Sequence, residues 1–133
     1  MSPEEARTLF AGARVARLAT ADADGRPHIV PLVFAIDGDT IYSAVDRKPK
    51  RTRDLKRLRN VTENPQVALL ADHYVDDDWH ALWWARADGT GRVLDASPDA
   101  VALLRDRYRQ YTDAPPDGPV LAVSVQRWSG WRA

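Results

Sequence analysis

The stretch VARLATADADGRPHIVPLVFAIDGDTIYSAV, from Val15 to Val45, decides the fold. Val15 to Thr20, His28 to Ile36 and Thr40 to Val45 are apolar-rich runs with strand composition. Asp22-Ala23-Asp24-Gly25 separates the first two, and Asp37-Gly38-Asp39 separates the second from the third. Both separators have turn chemistry, so the three runs read as an antiparallel meander. Pro31 falls inside the second run and has no N–H to give to a ladder. It therefore marks an edge, a bulge, or a place where something other than a strand lies alongside.

Outward from the meander, Ser2-Pro3-Glu4-Glu5 reads as a capping box with Pro at the first helical position. A short helix follows, with Ala6, Leu9 and Phe10 on one face and Gly12 as its stop. Downstream, Gln66 to Ala71 is a further apolar strand after Asn64-Pro65. Asp78 to Ala87, with Trp79, Trp83 and Trp84, and Gly89 to Asp95 are expected as two strands joined by a short turn. Ser97-Pro98 caps a helix whose stripe is Val101, Leu104, Tyr108 and Tyr111. Ala114 to Pro119 is a Pro-rich loop, and Val120 to Trp128 is the final strand. Six or seven short strands with short flanking helices make a mainly β (α+β) fold, an antiparallel barrel closed or partly closed. At 133 residues the expectation is one domain, 1–133.

Charge is concentrated in one place. Eight of the thirteen residues from Arg47 to Arg59 are basic, including all three lysines, Lys48, Lys50 and Lys56. With Asp54 the window carries +7 and the rest of the chain −7, which sum to the neutral total. The run passes through Pro49 into a helix-like segment with Thr52 as candidate N-cap and Leu55 and Leu58 on one face. Cations at a helix start oppose the macrodipole and call for an anion. A bound phosphate answers both, since free backbone N–H groups and basic side chains converge on it. A solvated helix face is the duller reading of the same run.

Composition narrows the classes. There is no cysteine, so disulfides, thiolate ligands and a Cys nucleophile drop out together. The N-terminus carries no apolar signal stretch, and no apolar run approaches the roughly 20 residues of a membrane span. A cytoplasmic protein with no membrane partner is expected. A balanced charge and a pI of about 6.8 argue against a nucleic-acid partner. His73 and His80, with Asp72 and Asp76 to Asp78, lack compact ligand spacing; they read as an acidic loop, and no metal is expected. Of Trp83 and Trp84, adjacent on a strand, one must point away from the interior, which favours a subunit interface; Trp83 is expected to pack inward.

Several segments in order resemble one family. These are Ala16-Arg17-Leu18-Ala19-Thr20, Asp24-Gly25-Arg26-Pro27-His28, Pro31-Leu32-Val33, Arg51-Thr52-Arg53-Asp54-Leu55, and Asn64-Pro65-Gln66-Val67-Ala68-Leu69-Leu70. Together they resemble the pyridoxamine-phosphate-oxidase-like split β-barrels. Lys48-Pro49-Lys50-Arg51-Thr52, Asp78-Trp79 and Trp83-Trp84 resemble the branch that uses the deazaflavin coenzyme F420 in place of FMN. The resemblance implies a homodimer with the cofactor in a groove at the subunit interface. It implies cofactor phosphate on Lys48, Lys50, Arg51 and Thr52, and a ring system against the strand holding His28, Val30, Pro31 and Leu32. Trp79 matches an aromatic that covers the cofactor, from its own or the partner protomer. Arg53, Lys56 and Arg57 suit the anionic tail of F420.

The resulting expectation is an F420-dependent oxidoreductase that moves a hydride between the reduced deazaflavin and a small planar conjugated substrate. Such chemistry belongs to the cofactor, so no catalytic side chain is expected. The alternatives are an FMN-binding protein of the same fold and a split barrel that holds a cofactor, haem or lipid without turnover.

Overall fold

The computed structural model describes residues 1–45 and 55–133 of the chain. Lys48, Lys50, Arg51 and Thr52 lie outside the described residues. The first helix, α1 (Pro3–Gly12), is capped as its sequence requires: Ser2 Oγ accepts from the Glu5 N–H at 3.1 Å. The meander follows as β1 (Ala16–Ala21), β2 (Pro27–Leu32), β3 (Ala35–Asp37) and β4 (Thr40–Ala44). Gly38, at φ +62°, supplies the left-handed residue of the tight β3–β4 turn.

Next come α2 (Lys56–Glu63), β5 (Gln66–His73), a one-turn 3-10 helix (Trp79–Ala81), β6 (Trp83–Leu94), α3 (Pro98–Arg107), α4 (Gln110–Asp113) and β7 (Val120–Arg132). The strands form one seven-stranded sheet in the order β2-β1-β5-β6-β7-β4-β3, and every pairing is antiparallel. The fold is mainly β, as expected. The sheet's two outer strands, β2 and β3, are separated in the chain by Val33 and Phe34 alone. Chain continuity therefore brings the two edges together, and the sheet curls into a barrel whose seam is this two-residue step.

Three expected elements differ. The run His28 to Ile36 is not one strand, because its first half pairs with β1 and its second with β4, and the chain must step between them. Conversely, Asp78 to Ala87 and Gly89 to Asp95 are not two strands. Trp83–Leu94 runs through without a turn, and the register against β7 shifts between Asp88 and Gly89. Gly89 is needed for close approach: a Cβ there would stand 2.3 Å from the Ser124 carbonyl oxygen. Finally, α2 starts at Lys56 with Leu55 in the cap position, not at Thr52, and has no side-chain cap and no acidic residue in its first turn.

The barrel interior is filled by Leu18, Leu32, Phe34, Ile41, Val67, Leu69, Val123 and Trp128, joined by Ala6 and Phe10 of α1 and Leu58 and Val61 of α2. The helices meet β6 and β7 at opposite ends, α1 where Ala6 abuts Gly130 and α2 where Val61 abuts Gly91. A second cluster, Ala35, Ala44, Ala100, Leu104, Tyr111 and Val120, packs α3 and α4 against β3 and β4. The expected stripe through Tyr111 is broken at Tyr108, which caps α3.

Candidate functional site

At the seam, Val15, Pro31, Leu32, Val33, Ser43, Ala44, Arg57 and Tyr111 line a groove of about 280 Å³. Polar and apolar surface share its walls about equally, with Arg57, Ser43 and Tyr111 as polar side chains. Ser43 and Ala44 stand just before the basic stretch, and Arg57 stands within its C-terminal part. The end of β4 and the first turn of α2 thus both border the groove.

Side chains of this chain bond the Val33 carbonyl and both backbone polar groups of Phe34 at the seam. Ser43 Oγ donates to the Val33 carbonyl at 2.8 Å. The Phe34 N–H donates to the Tyr108 hydroxyl at 3.2 Å, and that hydroxyl lies 3.0 Å from the Phe34 carbonyl and 2.9 Å from the Arg14 carbonyl. Of the three readings of Pro31, the edge is the one observed: it lies on β2, an outer strand of the sheet paired only with β1.

The expected ring-binding residues divide by strand alternation. Leu32 is buried in the core and lines the groove, Val30 packs against the core, and Pro31 is exposed and lines the groove. His28 is half-buried at the far end of β2, paired with Thr20, and its Nδ1 is a buried atom without a hydrogen-bond partner. It is outside the groove. Trp79 is also elsewhere: it sits on the one-turn helix before β6, 65% exposed. Trp79 does not line the groove.

Val15, Val33, Ser43, Ala44 and Tyr111 were not singled out as site residues from sequence. For Ser43 and Ala44 a signal existed, their position directly before the basic run. Tyr111 carried none, because its spacing matches an ordinary helix stripe.

The face of β2-β1-β5-β6 turned away from the core holds Ile29, Pro31, Leu70 and Trp84, with Ile29 66% exposed and Leu70 37% exposed. Its charges are paired within the chain, Arg17 to Asp72 at 3.3 Å and Arg86 to Asp88 at 3.0 Å. The Arg86 guanidinium also lies over the Trp84 ring at 5.6 Å. Trp83, on the opposite face, packs against the core, as expected.

Titration shifts lie away from the groove. Backbone N–H groups, that of Arg26 foremost, hold the Asp22 carboxyl below its ordinary range in the β1–β2 turn. Burial lowers the Arg107 guanidinium. Among the described residues no group of three or more His, Asp or Glu is placed to hold a metal ion, and no helix is long and apolar enough to cross a membrane.

The family model described as pyridoxamine 5′-phosphate oxidase matches residues 2–132. A conserved hypothetical protein from Mycobacterium tuberculosis has a similar structure, with a TM-score of 0.74 at 18% identity over 99% of this chain and 85% of that one. The haem storage protein HutZ from Vibrio cholerae aligns with a TM-score of 0.71 at 18% identity, covering 99% of this chain and 95% of its own. An FAD-binding protein from Mycobacterium smegmatis gives 0.69 at 19% identity, over 99% and 96%. These likenesses concern the fold. No curated protein sequence matches the chain.

Proposed function

The chain belongs to the pyridoxamine 5′-phosphate oxidase family, and on that premise we propose that it is an F420-dependent oxidoreductase with its cofactor at the seam groove. One observation carries this reading: Ser43-Ala44, just before the basic stretch, and Arg57, inside its C-terminal part, line one groove with Pro31 and Leu32. The window Arg47 to Arg59, with its net +7, begins three residues after the groove-lining Ala44 and contains the groove-lining Arg57. A groove with both apolar and polar walls beside concentrated positive charge suits a planar ring attached to an anion. The first turn of α2 supports it, since its cap position is Leu55, which offers no side-chain acceptor, and the turn itself holds no acidic residue.

In this reading Lys48, Lys50, Arg51 and Thr52 take the phosphate and Arg57 the anionic tail. Pro31 and Leu32 flank the ring, and Val30 supports Leu32 from the core side. His28 is a neighbour of the site, not a contact. The bound deazaflavin supplies the hydride chemistry; the protein binds it, orients it and excludes water.

The groove is at the low end of small-molecule sites, which run roughly 300–1,000 Å³. A second copy packed on the Ile29, Pro31, Leu70 face extends the wall. It brings in a Trp79, a residue that does not line the groove of its own chain. The assembly is then a homodimer with Trp79 acting across it.

Fluorescence titration of the purified protein with F420, FMN, FAD and haem tests the reading, the last two because relatives of this fold are described as binding them. Tight F420 binding is expected, with reduction of a quinone-like acceptor. Tight FMN binding without response to F420 reverses the cofactor assignment. Replacing Lys50→Ala together with Arg51→Ala is expected to weaken F420 by several kcal/mol with the fold intact, at about 1.5–3 kcal/mol per charge-assisted bond. Unchanged affinity moves the site elsewhere.

A further inference from the structure

The barrel seam is held by residues remote in sequence. Tyr108 follows the last turn of α3, and its hydroxyl accepts from the Phe34 N–H while facing the carbonyls of Phe34 and Arg14. A hydroxyl has one proton to give, so it bonds one of those carbonyls at a time. Around it, the Arg107 guanidinium lies 4.6 Å above the Phe34 ring and donates to the Ala13 carbonyl. The Arg14 guanidinium lies 4.7 Å over the Tyr108 ring and donates to the Arg107 carbonyl at 2.7 Å. Phe34 itself is fully buried, with Phe10 against its ring at 5.0 Å.

Phe34 is one of the two residues at which the chain crosses from the β1 side of the sheet to the β4 side. Its neighbour Val33 lines the groove. The Tyr111 N–H donates to the Tyr108 carbonyl at 3.0 Å, and the Tyr111 side chain lines the groove. One corner, between α3 and α4, thus sets both the seam and one groove wall.

We infer that Tyr108 is the positioning residue of the groove: its hydroxyl holds the Val33–Phe34 step at the spacing the bound cofactor requires. The inference rests on the groove being the cofactor site. A ladder bond would do the same for backbone in mid-strand; at the seam no strand is available, and a side chain takes its place. Tyr108 touches no ligand and acts through Val33, Phe34 and Tyr111.

The test is Tyr108→Phe, which keeps the ring beneath Arg14 and Arg107 and removes only the hydroxyl. Its control is Ser2→Ala, which removes the α1 cap, far from the seam, and destabilises without touching the groove. Both are measured well below their unfolding temperatures, by F420 and FMN fluorescence titration and by amide hydrogen exchange. Tyr108→Phe is expected to raise the cofactor Kd about tenfold, the scale of one lost hydrogen bond. It is also expected to speed exchange at the Phe34 N–H by about tenfold or more relative to ladder amides of β5. Ser2→Ala is expected to lower Tm and leave both unchanged. Wild-type affinity in Tyr108→Phe, or equal loss in the control, overturns the inference. Should the wild type bind neither F420 nor FMN, the cofactor reading fails, and Phe34 exchange still decides: an unchanged rate shows that the hydroxyl does not hold the step.

Discussion

Asp22 shows how one side chain can hold a hairpin. Its Oδ1 accepts from the backbone N–H groups of Asp24 and Arg26, both at 2.9 Å, and closes the turn between β1 and β2. Bonds to the charged form keep its pKa below the ordinary carboxylate value. The folded pKa is depressed, so the stabilisation is present above the unfolded value near pH 4 and is lost as pH falls through the folded one. Asp22→Asn should therefore lower Tm at about pH 7, and the gap from wild type should close by about pH 2. A constant gap across that range would mean that shape, not charge, makes the turn. The Asp22-to-Gly25 turn was legible in sequence because local chemistry dictates it. Tyr108 was not: nothing in its neighbourhood signals that its hydroxyl reaches Phe34, and its spacing with Leu104 reads as a helix stripe.

At the scale of the element, α2 is anchored by a buried polar pair. Asn60 Nδ2 donates to Thr20 Oγ1 at 3.0 Å, with both residues almost wholly buried, and this fixes the helix against β1. The same helix carries Arg57 to the groove, one turn before Asn60. Asn60→Ala should cost about 1–3 kcal/mol in chemical denaturation, because Thr20 keeps its hydroxyl and loses its partner. Combined with Thr20→Val, the further loss should be smaller than Thr20→Val causes alone, a coupling that a double-mutant cycle measures. Additive losses would show that the bond is incidental to docking.

Elements defined by local signals were readable in sequence, namely α1, the tight turns and the capped start of α3 at Ser97. The long β6 was not. Gly89 looks like a turn residue in sequence, whereas its role is to let β7 approach the backbone, a constraint that exists only once the sheet has formed. Likewise His28 to Ile36 is apolar throughout, and only the change of partner from β1 to β4 breaks it.

For the whole molecule, the decisive relation is between the groove and the outer sheet face. Pro31 belongs to both, so a body seated on that face also borders the groove. Ile29 and Leu70 are large, apolar and exposed there, and the nearby carboxylates and guanidiniums neutralise one another within the chain. A second copy would bury the apolar residues without stranding an unpaired charge, which makes association favourable on desolvation grounds. Leu70→Arg places an unmatched cation at the centre of the face and repeats it across the two-fold. Sedimentation should then show the 14.9 kDa protomer in place of a particle of twice that mass. F420 affinity should fall with it, although Leu70 lies outside the groove, because the partner's wall and its Trp79 are removed together. If Leu70→Arg is monomeric yet binds F420 as well as the wild type does, the groove is complete within one chain and Trp79 has no part in it. If the wild type is itself monomeric, the face has another occupant and the cross-protomer arrangement is wrong.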